Sequence, residues 1–303
     1  MRVTVIVNTG AGTVQAGGID AESLRGMFQD ARIEAGIEAD IRFVPGDQVD
    51  EIAREAVSSG VDAVVAGGGD GTIRAVAARL AGGPIPLAVL PVGTLNHFAR
   101  DLGIPLDLPE AVKLIAKGIA SGTVRSLDVG EVNGEIFVNN SVLGFYPPVV
   151  KVRDRERDEK QRGKWMATLS AALKVLPHHP PLRIRIRIGG RELVSETLFV
   201  FIGNNEYEMG AFTYGARSRF DSGNLYLYIA KIRGRLGLLG LLLLSLFRDV
   251  KGTSRIDCLS APELEIAMSQ RSVPVYLDGE VTVLETPLRY RTRVRDLRVI
   301  LPG

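Results

Sequence analysis

Residues 62–73 read DAVVAGGGDGTI, and the order of apolar run, glycine cluster, aspartate and helix former decides the architecture around them. Ala63 to Ala66 is a short unbroken apolar run, the pattern of a strand covered on both faces, and Thr72 to Leu80 then takes up helical spacing. A buried strand that passes directly into a helix is half of a parallel crossover unit. The same rhythm extends outward in both directions. Val3 to Val7 is an apolar strand. Asp20 caps a helix that places Leu24, Met27, Phe28 and Ala31 on one face and ends at Gly36. Ile37 to Val44 reads as a second strand, Val49 to Ser59 as a helix, Leu87 to Leu90 as a fourth strand, and Asp107 caps a helix ending near Gly118.

From about Thr123 the period changes to two. Leu182, Ile184, Ile186 and Ile188 alternate with Arg183, Arg185 and Arg187, which describes an antiparallel strand with one wet face. Further strands are expected at Leu198 to Ile202, Leu225 to Ala230, Leu264 to Met268 and Val273 to Leu277. The expected fold is α/β plus all-β. An N-terminal parallel-sheet α/β domain spans 1–128 and a C-terminal antiparallel β-sandwich domain spans 129–287. The charged segment Lys151 to Lys164 reads as a solvated helix or loop.

Composition agrees with two packed domains, since 303 residues at 46% hydrophobic content can bury a large core. Lysine and arginine number 37 against 35 acidic residues, so the net charge of +2 excludes a general attraction to nucleic acid. The lone Cys258 excludes an intramolecular disulfide and fits a reducing compartment. The opening MRVTVIVNTG reads as a buried strand rather than an export signal, and a cytoplasmic protein is expected. The longest apolar stretch, Leu236 to Phe247, is interrupted by Gly237, Gly240 and Ser245 and falls short of the ~20 residues that span a bilayer.

The glycine cluster Gly67, Gly68, Gly69 with Asp70, Gly71 and Thr72 sits where a strand meets a helix, and that place suits a phosphate. Glycine permits positive φ and close backbone approach, while a helix N-terminus offers unpaired N–H groups and partial positive charge. No Gly-Lys-Ser/Thr follows, so this is not a Walker A loop. Asp70 would repel a phosphate unless a metal or proton transfer is involved, and it therefore points to Mg or catalysis. The plainer alternative is a tight turn in which Asp70 only caps the helix.

A second loop, Pro91 to Arg100, follows the fourth strand and offers Gly93, Thr94 and Asn96 to phosphate or ribose. The first loop, from Asn8 to Thr13, follows the first strand. All three would open at the carboxyl edge of one sheet, where ligands bind in open α/β folds. Near the C-terminus Leu277, Asp278, Gly279, Glu280 ends a β-rich run, and the glycine allows a turn that aims both carboxylates at one point. Paired carboxylates can hold Mg and accept a hydroxyl proton, although an acidic hairpin turn is the plainer alternative.

These residues resemble the diacylglycerol kinase catalytic-domain family, which includes bacterial lipid kinases and sphingosine kinases. GGGDGTI at 67–73, PVGTLNHFARDLGIP at 91–105, LDVGEVNG at 127–134 and LDGE at 277–280 keep the family's order over nearly the whole chain. The resemblance implies an ATP- and Mg-dependent kinase acting on a membrane lipid. It implies a nucleotide site between the two domains, with the N-terminal domain completed by 288–303. Carried over, Asn8, Gly67, Gly68, Gly69, Asp70, Gly71, Thr72, Gly93, Thr94 and Asn96 hold the nucleotide. Asp70 and Asp278 attend the catalytic Mg, and Glu280 is the general base assisted by Asp278. Phosphoryl transfer needs mainly such positioning and charge neutralisation.

Four positions depart from the family's pattern. Thr9 stands where proline is usual after the asparagine, His97 where an aspartate is commoner, and Arg42 where a nucleotide-contacting threonine is frequent. Asp221 belongs to a stretch that supports a structural Mg in the family, but Ser222 removes one of its carboxylates. The leucine-rich Arg235 to Phe247, bracketed by Lys231, Arg233, Arg248, Lys251 and Arg255, suits either peripheral contact with an anionic membrane or a core helix. His97, His178 and His179 show no metal-ligand spacing with the lone cysteine, and Trp165 and Tyr207 read as core or cleft-wall residues. The competing functions are an NAD kinase-like enzyme, which shares a GGDGT loop, and an inactive binding module. Neither the lipid nor the oligomeric state, a homodimer included, is legible from the sequence.

Overall fold

The computed structural model describes residues 1–15, 20–152, 171, 174–175, 180–208, 217, 219–230 and 256–301. The expectations for 153–164, Trp165, His178, His179 and the leucine-rich segment with its basic flanks lie outside these residues. The chain divides into two compact units, Met1–Val129 with Arg293–Gly303, and Gly130–Thr292. The C-terminal segment of the first unit thus begins at Arg293 rather than at 288.

The first unit runs β1 (Arg2–Asn8), α1 (Gly12–Gln15), α2 (Ala21–Ala35), β2 (Glu38–Val44), α3 (Val49–Ser58), β3 (Ala63–Gly67), α4 (Asp70–Leu80), β4 (Leu87–Leu90), α5 (His97–Asp101) and α6 (Leu108–Ser121), and it ends within β5 (Val124–Val132). The strands pair in parallel in the order β2-β1-β3-β4, and the chain's last strand adds beside β4 through Val299 and Leu87. Val5, Val7, Val64 and Val65 are fully buried, each such side chain contributing about 1.5–3 kcal/mol on leaving water. This is why the runs read as continuously apolar rather than alternating.

The caps fall where the sequence placed them. The Asp20 carboxylate accepts the Ser23 N–H at 2.6 Å, and that of Asp107 accepts the Glu110 N–H at 3.1 Å. Gly122, at φ 66°, closes α6, which ends at Ser121 rather than near Gly118. α4 begins at Asp70, two residues before Thr72, because Gly69 remains extended as its N-cap at φ −85° and ψ −177°.

The second unit continues with β6 (Glu135–Phe137), β7 (Asn140–Gly144), β8 (Leu182–Ile188), β9 (Arg191–Thr197), β10 (Phe199–Asn204), β11 (Leu225–Ala230), β12 (Ile256–Ala261), β13 (Glu263–Met268), β14 (Ser272–Leu277), β15 (Glu280–Glu285) and the first part of β16 (Leu288–Ile300). One antiparallel layer orders β9-β8-β13-β16 and the other β12-β11-β10-β7-β14-β15. Ile184, Ile186 and Ile266 from the first layer and Val200, Leu227 and Val275 from the second belong to one buried cluster, which makes this unit a sandwich. On the outer face Arg183 pairs with Glu196 and Arg187 with Glu192 and Glu265. These are exposed pairs of small energetic weight.

Strands β6, β7, β9, β12 and β15 were not anticipated from the sequence. β9 and β15 lie at sheet edges with Thr197 their one buried residue, and β6 is three residues long, so these three present little of an apolar face.

Candidate functional site

The strand order β2-β1-β3-β4 makes β1, β3 and β4 immediate neighbours, so the three glycine loops leave adjacent strand ends. The reversal in order between β1 and β3 is a topological switch point, where a crevice opens at the carboxyl edge of a sheet. The loops are tied to one another by side chains. Asn8 donates through Nδ2 to Thr72 Oγ1 at 2.9 Å while its Oδ1 accepts the Gly10 N–H at 2.8 Å. Asp70 reaches the other way, accepting the Phe98 N–H at 3.0 Å and the His97 N–H at 3.3 Å. Its charge therefore also faces the N-terminus of α5.

Asn96 holds the second loop in shape. It is buried, with left-handed backbone at φ 51°; its Oδ1 accepts the Gly93 N–H at 2.9 Å, and its Nδ2 donates to the Gly93 and Pro91 carbonyls at 2.9 and 3.3 Å. The residue expected to touch ribose or phosphate is thus engaged with its own loop, while Thr94 and His97 are exposed.

The glycines serve by closeness and not by positive φ. None of Gly67, Gly68, Gly69, Gly71 or Gly93 is among the described residues with left-handed backbone. A Cβ on Gly68 would come within 2.4 Å of Thr72, and one on Gly93 within 2.4 Å of the Gly69 Cα. A Cβ on Gly12 would meet Thr94 Oγ1 at 2.6 Å, which brings the first loop into the same contact. The result is close packing of the loops beside the N-terminus of α4, the end of a helix that favours negative charge.

Arg42, near the end of β2, is held by Asp40 and Glu55, each at 2.8 Å. Those hydrogen bonds, Asp40 first, raise its pKa further above the arginine range. It remains a fixed cation.

The second unit contains Asp221, Asp278 and Glu280. Asp278 and Gly279 form the two-residue turn of the β14–β15 hairpin, closed by the pair Leu277 and Glu280. Their φ values of 47° and 118° are the positive pair that Asp-Gly favours in such hairpins. The sequence expectation that both carboxylates aim at one point does not hold. Asp278 is buried at 2% exposure and accepts the N–H groups of Val138, Asn139 and Asn140, the latter two at 2.9 Å each. Glu280 stands exposed at the start of β15. Asp221 is half-buried beside Ser222, whose N–H donates to Asn205 Oδ1 at 2.8 Å.

Around this turn lies a polar cluster that sequence reasoning missed, with Arg217, Asn139, Asn204 and Asn205 all buried. The two Asn-Asn pairs at 139–140 and 204–205, each at the end of an apolar strand, were the available signal. Tyr228 belongs to the same region and accepts the Tyr207 N–H at 3.1 Å, and burial pushes its hydroxyl pKa up.

A divalent cation was expected at Asp70 and Asp278. Among the described residues no three His, Cys, Asp or Glu side chains cluster as a protein-only metal cage. Mg does not require one, since it binds through one or two carboxylates together with substrate phosphates and water. Asp70 suits that arrangement as a carboxylate at the first turn of α4 beside the glycine loops. Asp278, with three amides on its two oxygens, does not suit it.

A family model described as the diacylglycerol kinase catalytic domain matches residues 2–132. A Pseudomonas aeruginosa protein named "Probable lipid kinase YegS-like" is 33% identical over 281 residues, covering 90% of this chain and 88% of that protein. A Bacillus subtilis protein named diacylglycerol kinase is 27% identical over 259 residues, covering 82% and 81%. Among solved structures, a diacylglycerol kinase from Bacillus anthracis str. Sterne aligns with a TM-score of 0.70 at 25% identity over 99% of this chain and 96% of that one. Yeast NADH kinase complexed with NADH aligns with a TM-score of 0.53 at 13% identity over 100% and 84%, a likeness of fold alone.

Proposed function

The chain belongs to the diacylglycerol kinase catalytic-domain family and is a lipid kinase, and we propose that it transfers the γ-phosphoryl group of ATP to the hydroxyl of diacylglycerol or a related membrane lipid. The observation that supports the nucleotide half of this reading is the close approach of Gly69 and Gly93, where loops from adjacent strands meet backbone to backbone beside the N-terminus of α4. A polyphosphate suits such a surface better than any neutral ligand, because helix N-terminal N–H groups and the dipole both favour negative charge.

The roles follow from chemistry. Residues 67–72 and Thr94 hold the phosphates, and Asn8 keeps the first two loops in register through Thr72. Asp70 is the carboxylate that would hold Mg brought in with the phosphates, and the ion when bound would supply neutralisation of charge on the phosphoryl oxygens. Glu280, exposed and carboxylate-bearing, takes the proton of the acceptor hydroxyl as its oxygen attacks phosphorus. A lipid acceptor also requires peripheral contact with a bilayer. Among the described residues no helix is long and apolar enough to cross one.

The test is a panel of acceptors presented in mixed micelles with labelled ATP and Mg: diacylglycerol, monoacylglycerol, a sphingoid base, ceramide, phosphatidylglycerol and, as the soluble comparator, NAD. Label in one or more lipids is the expected result. Label in NAD with none in any lipid would overturn the acceptor assignment.

A further inference from the structure

We propose that Asp278 and Arg217 are positioning residues that grip the segment Val138–Asn140 from opposite sides and so fix the hairpin turn that presents Glu280. The proposal rests on the reading of Glu280 as the base and assigns Asp278 a different task from the proton transfer and Mg binding that the family resemblance implies.

The grip is built from charges on the two polar sides of one backbone segment. On the N–H side the Asp278 carboxylate takes Val138, Asn139 and Asn140, and the Asp278 N–H donates in return to the Asn140 carbonyl at 3.2 Å. On the acceptor side Arg217 Nη1 donates to the Val138 carbonyl at 2.6 Å and to that of Asn204 at 3.2 Å, while Nη2 donates to Asn139 Oδ1 at 2.7 Å. Asn204 Nδ2 adds a bond of 3.0 Å to the same Val138 carbonyl. Both charged groups are buried, Asp278 at 2% and Arg217 at 4% exposure. The guanidinium lies 5.5 Å from the Tyr207 ring centre and 5.0 Å from that of Phe220. A buried charge is costly unless fully hydrogen-bonded, and a guanidinium against ring faces is held in one orientation.

The link to Glu280 is covalent and short. Asp278 is the first residue of a two-residue turn and Glu280 the residue that closes it. β14 also pairs with β7 just beyond the gripped segment, through Leu277 with Ser141 and Tyr276 with Val142. Asp278 therefore anchors the turn at its tip while the ladder anchors its base. Whatever rotamer Glu280 adopts, the direction of its Cα–Cβ bond is set by the turn that carries it. A carboxylate that releases three amides in order to accept a proton or a cation would let that turn go.

The experiment uses the full-length enzyme with Asp278→Asn, Arg217→Lys and Glu280→Gln, singly and as the doubles D278N/E280Q and R217K/E280Q. Asparagine keeps the shape of Asp278 but turns an amide NH2 towards one of its N–H donors, and lysine keeps the charge of Arg217 but loses the fork. D278N is expected to lower kcat by roughly 10- to 100-fold with the KM for ATP, the Mg dependence and the shape of the pH–rate profile unchanged. R217K is expected to lower kcat in the same way. In the Glu280→Gln background either change should cost less than about 3-fold more, because residues acting through one group are not additive. A full additional loss in the doubles, a shifted Mg dependence in D278N, or an unchanged kcat in R217K would overturn the proposal. Should D278N fail to fold, R217K decides the question. Near-normal turnover of Glu280→Gln alone would overturn both this proposal and the role given to Glu280, whereas an inactive E280Q with additive doubles removes only the proposal.

Discussion

An added Cβ on Gly93 would lie 2.4 Å from the Cα of Gly69 and 2.8 Å from its amide nitrogen. Two loops from neighbouring strands thus meet backbone to backbone, and the added Cβ would also press on the buried Asn96 Oδ1 at 2.7 Å. Gly93→Ala must part them. The expected result is a loss of ATP affinity of about 10-fold or more alongside a stability cost of about 1–3 kcal/mol from overpacking, read by calorimetric titration and thermal melts. Gly26→Ala on α2, where a Cβ would meet nothing within 4 Å, is the control and should stabilise by roughly 0.5–1 kcal/mol. Unchanged nucleotide affinity in Gly93→Ala would remove the loop contact from the binding site.

Asp70 joins the first unit's chemistry to its scaffold. Asparagine can still accept the Phe98 N–H through its carbonyl oxygen, so Asp70→Asn should fold with a loss of about 0.5–2 kcal/mol, the scale of a weakened helix cap. Turnover should fall at least ~100-fold, as for a group that acts on charge in the transition state. Circular dichroism and steady-state kinetics on one preparation separate the two effects. Wild-type turnover in a folded variant would restrict Asp70 to capping α5.

Glu280→Gln should lower kcat by ~100-fold or more with little change in Tm, because an exposed side chain contributes little to stability. Glu285→Gln, at the other end of β15, is the matched control and should retain activity. Equal activity of the two variants would refute the assignment of Glu280.

Ser141 and Tyr290 share a hydroxyl–hydroxyl bond of 2.9 Å with both residues buried, at 0% and 2% exposure. Tyr290→Phe strands the serine hydroxyl and should cost about 1–3 kcal/mol, while the double Ser141→Ala/Tyr290→Phe should cost less than the sum of the singles. Burial pushes the Tyr290 pKa upward. Its folded value thus exceeds the unfolded one, so the stability it confers is complete below the ordinary tyrosine range near pH 10 and declines as the pH rises beyond it. Denaturant melts across alkaline pH should show a shallower decline in Tyr290→Phe than in the parent. An equal decline would mean that Tyr290 does not govern it.

The sequence determined what is written within a few consecutive residues. Continuous apolar runs specified β1, β3 and β4, the Asp20 and Asp107 caps marked the starts of two helices, the Ile/Arg alternation specified β8, and the glycine clusters marked the turns that follow β1, β3 and β4. The remainder depended on which strands lie side by side. Only the order β2-β1-β3-β4 makes the three glycine loops neighbours, and only their contact shows that Gly69 and Gly93 are needed for close approach and not for positive φ. The paired carboxylates of the 277–280 turn looked equivalent in the sequence. The tertiary structure separates them, burying Asp278 against amides 138–140 residues away in the chain while leaving Glu280 in water. Periodicity and turn chemistry act through bonds and neighbours a few residues apart, so they can be read locally. A hydrogen bond between distant segments exists only once a sheet has chosen its strand order and register, and no local pattern encodes that choice.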